Sequence, residues 1–364
     1  MGDKVGIITL GGRFNYGNRL QNYATEYIWK TLGYEPTSLY LGVRPNAIRA
    51  MKKVFRVIMR KTEPNPEAGM RKHRLAAFDR FDRNMNNRFL KSIDPECIRE
   101  FRFFSVGSDQ TWNPSQFAYN EDWFFLDFAK PQQRIALAPS IGLDSLTPKQ
   151  ARAVSRGVSN FARVSIRENR GAELIKKYVG VDAAVICDPT LVLPAESWRA
   201  VADEHCTPNG PYVFTYLLGG EGSEAFDVLN QVTDRGRIPV VPLSDRQKPN
   251  EPDAGPAEFI DLIDHASHVV TDSFHAAVFS TILHTPLTIV HREGGASMFS
   301  RLEQLSQMLG IEEKVYGSPS FDLSLASDYE GVPEAIEYER EKFMNYLEGC
   351  LDEQLPDWRE GARG

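Results

Sequence analysis

Cysteine is scarce in this sequence and never clustered. Cys97, Cys187, Cys206 and Cys350 stand far apart, with no C-x-x-C spacing. That pattern argues against a disulfide frame or a zinc site and suits free thiols in a reducing cytosol. No apolar run approaches the roughly 20 residues of a membrane helix. The opening "MGDKVGIITL" lacks the basic leader and long apolar stretch of a signal peptide. Positive charge is also short, with 42 lysines and arginines against 49 aspartates and glutamates, a net −7. That balance excludes the basic face of a nucleic-acid binder. The expected protein is cytoplasmic, with peripheral contact at the inner membrane face left open, and any anion it takes must be held by locally placed cations. The glycine-rich stretch "GGRFNYGNRLQNYA" has neither the G-x-G-x-x-G of a dinucleotide site nor the lysine of a P-loop.

What is present is a repeated alternation of strand and helix. The 364 residues are too many for one compact core and point to two domains. "KVGIITL" reads as a buried strand, "NRLQNYATEYIWKTLG" as an amphipathic helix closed by Gly33, and "EPTSLYL" as a second strand. A charged helical insertion follows from about 45 to 100, broken by the prolines of "KTEPNPEAG", with "HRLAAFDRFDRNMNNRF" as a packing helix. "FRFFSVG", "RIALAPSIG", "VSI" and "DAAVICDPT" supply further strands. Past a hinge near residue 193 the alternation restarts, through "YVFTYLL", "IPVVPL", "HVVTD" and "PLTIV" with helices between them. The fold class is α/β: two Rossmann-like domains with parallel sheets facing across a cleft, residues 1–193 and 194–330. A C-terminal helix and tail, 331–364, is expected to pack back on the first domain. Open parallel sheets bind ligands at the carboxyl ends of their strands, so motifs at those ends are the candidates.

Six such segments are candidates. In the opening loop, Gly11, Gly12 and Gly17 allow close approach of a ligand, and Asn15 and Asn18 offer donors and acceptors beside a helix start. The plain alternative is a tight turn with asparagine caps. In "SVGSDQTWNPSQF", Ser108, Asp109, Gln110 and Asn113 crowd around Trp112, which suggests a carbohydrate platform; otherwise they form a capping cluster over a core tryptophan. Arg167 of "SIREN" sits where a planar fork can hold a carboxylate or phosphate, or else makes a surface pair with Glu168. Asp188 of "ICDPTLVLP" reads as a turn residue. The strongest signal is "HVVTDSFHAAVFS". Ser273 stands at the N-cap position and His275 in the first turn, where the positive helix end favours a neutral imidazole until an anion arrives. Next, "HREGGASMFSR" offers His291, Arg292, Ser300 and Arg301 as a further anion loop.

In order and spacing, "NYGNRLQNYA", "GSDQTWNP", "SIRE" with "CDPTLVL", "PAEFIDLIDHASHVVTDSFHAAVFSTILHTPL" and "EGGASMFSRL" resemble the polysaccharide pyruvyl transferase family, from about residue 5 to 310. The resemblance implies a fold similar to two-domain GT-B glycosyltransferases. It also implies transfer of a pyruvyl group from phosphoenolpyruvate to two hydroxyls of a sugar, free in a polysaccharide or lipid-linked, giving a cyclic ketal. In that scheme His275 is the general acid or base and Asp109 orients a sugar hydroxyl. Arg167, Ser273, His291, Arg292, Ser300 and Arg301 hold the donor. Asn15, Tyr16, Asn18, Ser108, Gln110, Trp112 and Asn113 hold the acceptor, and no metal or cofactor is called for. One position departs from the family: where an arginine is expected two residues before the histidine, this chain has Ser273, so another arginine anchors the donor or the donor differs. The rival readings are a nucleotide-sugar glycosyltransferase and a non-catalytic sugar-binding protein on the same fold.

Overall fold

The structure is a computed structural model that describes residues 2–42, 70–115, 121–292 and 299–354. The "KTEPNPEAG" break, the basic "KKVFRVIMRK" segment and residues 293–298 of the second-half loop lie outside the described residues. The first sheet is parallel and five-stranded. It comprises β1 (Lys4–Ile8), β2 (Glu35–Leu41), β3 (Asn87–Leu90), β4 (Phe103–Val106) and β5 (Arg134–Ala136), in the order β3-β2-β1-β4-β5. Its central strand is continuously apolar because both faces are covered: Val5, Ile7 and Ile8 are wholly buried. A two-residue ladder follows, β6 (Ser165–Ile166) with β7 (Ala184–Val185). The second sheet, β8 (Val213–Tyr216), β9 (Val240–Leu243), β10 (His268–Thr271) and β11 (Leu287–Ile289), is again parallel, in the order β11-β10-β8-β9.

The longer helices are α1 (Tyr16–Thr31), α2 (Lys72–Phe81), α3 (Pro148–Val158), α4 (Asn169–Val179), α5 (Ser223–Val232), α6 (Pro256–Asp264), α7 (Phe274–Leu283), α8 (Ser300–Leu309) and α9 (Val332–Gln354). The Asn15 side chain caps α1 by accepting from Asn18 N at 3.0 Å. α7 is apolar nearly all round and buried along its whole length, as befits a helix at the centre of the molecule. α9 returns to the first half, where Arg340 Nε donates to the Val192 carbonyl at 2.7 Å.

One hydrophobic core runs through both halves. Tyr16 of α1 stacks on Phe259 of α6 at 4.7 Å, and its hydroxyl donates to the Ala254 carbonyl. α2 clamps the same junction through the wholly buried Arg74, paired with Glu251 at 3.2 Å.

Two elements differ from the sequence reading. The helix expected over "HRLAAFDRFDRNMNNRF" stops at Phe81, and Asn87–Leu90 becomes the edge strand β3. The buried Glu26 carboxylate accepts the Asn86 N–H, and the Asn86 amide bonds the Pro36 carbonyl and Thr37 Oγ1, drawing the chain onto β2. The first sheet also ends at β5, because Ala138 takes a left-handed φ of 52° and Pro139 follows. Ser165 Oγ bridges that break by donating to the Ala136 carbonyl and accepting from Ala138 N.

Candidate active site

The strand ends of both sheets converge on a cavity of about 90 Å³. His275, in the first turn of α7, lies against the first turn of α1. A Cβ on Gly17 would fall 2.1 Å from His275 Nδ1, so only glycine leaves room for the ring. On the other side of the ring, Nε2 is buried and lies 3.7 Å from Asp188 Oδ2.

Asp188 is saturated with partners. Oδ1 accepts from Thr190 N at 3.0 Å and Thr190 Oγ1 at 2.8 Å. Oδ2 is 2.9 Å from Ser108 Oγ and 2.5 Å from Arg167 Nη1. Burial pushes its carboxyl up, but His275, the Arg167 guanidinium and the Thr190 N–H outweigh it and hold the group well below the usual carboxylate range. Asp188 thus places a fixed anion near the imidazole, beyond hydrogen-bond distance.

Ser108 and Asp109 are held by the backbone around them. Gly107 has φ 119°, and a Cβ there would meet the Leu137 carbonyl at 2.1 Å. The Ser108 N–H donates to Gln21 Oε1 at 2.9 Å, so α1 locks this turn from below. Asp109, with φ 65°, faces Arg167 Nη2 at 3.4 Å and borders the cavity with Gln110.

The cations divide into two kinds. Arg167 is buried, bridges Asp188 and Asp109, and lies 4.8 Å over the Phe274 ring. Arg292 and Arg301 line the cavity beside Asp272, Ser273 and His275. Arg292 Nε is 3.1 Å from Asp272 Oδ2, and Asp272 also accepts from the Leu218 and Gly219 N–H groups at 2.7 Å each, fixing the loop after β8. Burial, with Arg167 close by, depresses Arg301 to about 10. A guanidinium under that pressure gains from any anion placed beside it.

The structure brings together His275, Asp109, Gln110, Asn15, Ser273, Arg292 and Arg301 at one cavity. It separates others from it. Trp112 is wholly buried, donates to the Phe124 carbonyl and packs on Phe125 and Phe161, so it offers no face to a sugar. Tyr16 belongs to the core between the halves, and Asn18 is buried beneath its cap. Ser108 and Asn113 are buried, the first on Asp188 and the second on Gln110 and Ser115. Arg167 is engaged by two carboxylates and is a positioning group for Asp188. His291 pairs with Glu224 at 3.0 Å and stacks on Phe299, away from the cavity lining, and Ser300 does not line it either. Ser273 occupies the N-cap position but makes no side-chain capping bond. Asp188 and Asp272 were missed as site residues. Asp272 directly follows β10, which is the signal that would have found it, whereas the role of Asp188 depends on partners from distant segments.

Two facing α/β units with a histidine and arginines at their shared cleft give the molecule a GT-B-like architecture. The model of the polysaccharide pyruvyl transferase family matches residues 15–291, which is most of the chain, and the protein belongs to that family. No curated protein matches it in sequence. Among solved structures it is similar to S. aureus MnaA bound to UDP, with 11% identity, a TM-score of 0.52 and 97% of each chain covered. It is also similar to an α-glucosyltransferase in complex with UDP and a 13-mer DNA, with 10% identity, a TM-score of 0.47, and 97% and 98% of the two chains covered. Among the described residues no helix is long and apolar enough to cross a membrane.

Proposed function

We propose that the protein transfers a pyruvyl group from phosphoenolpyruvate to two hydroxyls of a sugar, in a polysaccharide or on a lipid carrier, at the cytoplasmic face where that donor is made. The observation that carries this reading is His275, bordered by Arg292 and Arg301 on the cavity side and backed by Asp188. The two arginines and the start of α7 receive the donor's phosphate and carboxylate, without a bound metal. A proton passes to the donor's methylene carbon, making it a methyl group, and the central carbon gains cationic character. The oxygen of a first sugar hydroxyl bonds to that carbon and releases its proton. The oxygen of a second hydroxyl then displaces phosphate, which leaves with the second proton, and the ketal ring closes. His275 handles these protons, and Asp109 orients the first hydroxyl.

The test is incubation with phosphoenolpyruvate and a panel of glycosides, following phosphate release and product mass. Release that depends on the glycoside, with a product heavier by one pyruvyl ketal, is expected. Turnover of a nucleotide sugar, with no glycoside-dependent phosphate release, would reject the reading. Phosphoenolpyruvate should also raise the melting temperature by mass action, whereas UDP should not.

A further inference from the structure

A second, larger cavity of about 780 Å³ opens at the carboxyl end of the first sheet, and no residue assigned to the chemistry above lines it. Its rim carries an aromatic ring that the core does not account for. Phe89, on the edge strand β3, is 78% exposed and stacks on Tyr40 of β2 at 5.3 Å, with the ring planes 27° apart. Tyr40 is itself held rigidly, since its hydroxyl accepts from Arg19 Nη1 and Asn22 Nδ2 at 3.0 Å each. The stacked pair presents an aromatic face at the rim of a polar cavity, the arrangement that an amphipathic ligand can cover.

The polar groups around it restrict the occupant. Arg13 is matched by Asp79 at 3.1 Å and Arg19 by Asp82 at 3.7 Å, so among the described residues that line the cavity the charges balance, which does not favour a phosphate or another strong anion. Acceptors are present as well: the Asp82 side chain is 24% exposed at the cavity, and Asn87 Oδ1 has no hydrogen-bond donor among the described residues. Burial, only partly opposed by Arg19, holds the Asp82 carboxyl above its ordinary value. A ligand with an apolar C–H face and several O–H donors satisfies both the ring and the oxygens. A neutral pyranose has that chemistry.

We infer that the cavity beside Tyr40 and Phe89 is the subsite for a neutral hexose of the acceptor, which lies on Phe89 and donates hydroxyls to Asp82 and Asn87. This deepens the proposed function and rests on it for the word acceptor. The opening loop now has a role on both sides: Gly11 and Gly12 border this cavity, while Asn15 and Gly17 border the one at His275.

The experiment is saturation-transfer NMR on the full chain, with methyl hexopyranosides of gluco, galacto and manno configuration, alongside melting shifts with phosphoenolpyruvate. At least one glycoside should show transfer, with affinity about tenfold weaker in Phe89→Ala and restored in Phe89→Trp. The phosphoenolpyruvate shift should be the same in all three proteins. Transfer that is undiminished in Phe89→Ala, or transfer from none of the glycosides, overturns the inference. Phe89-dependent glycoside binding without a phosphoenolpyruvate shift upholds this subsite and removes the donor reading. The reverse pattern upholds the donor reading and removes this subsite.

Discussion

On the first-half side of the cleft, Ser108, Arg167 and Asp188 are bonded to one another away from the cavity at His275, whereas on the second-half side Ser273, His275, Arg292 and Arg301 line it. The first set spends its polar groups inside the protein. The second lines the cavity, with Arg292 also held by Asp272 and Arg301 lowered to about 10 by burial and a neighbouring Arg167. A buried, mutually satisfied network fixes geometry, while a strained cation at a cavity supplies binding. Division of labour across the cleft follows: the first half orients and the second half acts.

Substitutions on the two sides should therefore fail differently. His275→Ala is expected to lower turnover by about a thousandfold or more while leaving the melting temperature close to that of the parent. Steady-state kinetics and calorimetry read both, and turnover within tenfold of the parent would erase the distinction.

Asp188→Asn should instead loosen the network, because it leaves the buried Arg167 charge relying on the longer contact to Asp109, and the loss in a denaturant titration should be about 3 kcal/mol. The pH dependence sharpens this. A carboxyl held below its unfolded value contributes its full stability above the ordinary carboxylate range and loses it as pH falls below that range. The stability gap between parent and Asp188→Asn should therefore narrow on acidification below about pH 4.

Gly17→Ala tests the meeting of the two sides. The added methyl displaces the His275 ring, so turnover should fall about a hundredfold. Crowding at this buried position should cost about 1–3 kcal/mol of stability, partly offset by helix propensity. An unaffected rate would mean that the ring is not used where it stands. Arg301→Gln should weaken phosphoenolpyruvate about tenfold in a melting-shift titration, with folding intact.

Much of the fold was legible because β1, β2, α1 and the alternation of the second half have strong periodicity and clear stops, such as Gly33 at φ 83°. β3 was not, since "NMNNRF" has no strand pattern and is recruited by Glu26 and by its own Asn86 side chain. At the site, His275, Arg292 and Arg301 were legible from a strand running into a helix. Trp112 misled because a tryptophan among polar residues looks the same whether it faces a sugar or the core. The value of Gly17 was invisible for another reason: it depends on a histidine that only the tertiary fold brings beside it. Asp188 was hidden likewise, since its turn-capping oxygen is local and its other oxygen serves Ser108, Arg167 and His275 from distant segments.

The most direct test is a crystal structure of the protein with phosphoenolpyruvate. The account predicts the ligand's anionic groups on Arg292 and Arg301, with its methylene carbon turned toward His275. Phosphoenolpyruvate found elsewhere, or that cavity filled by a nucleotide with His275 facing away from the reacting atoms, would contradict it.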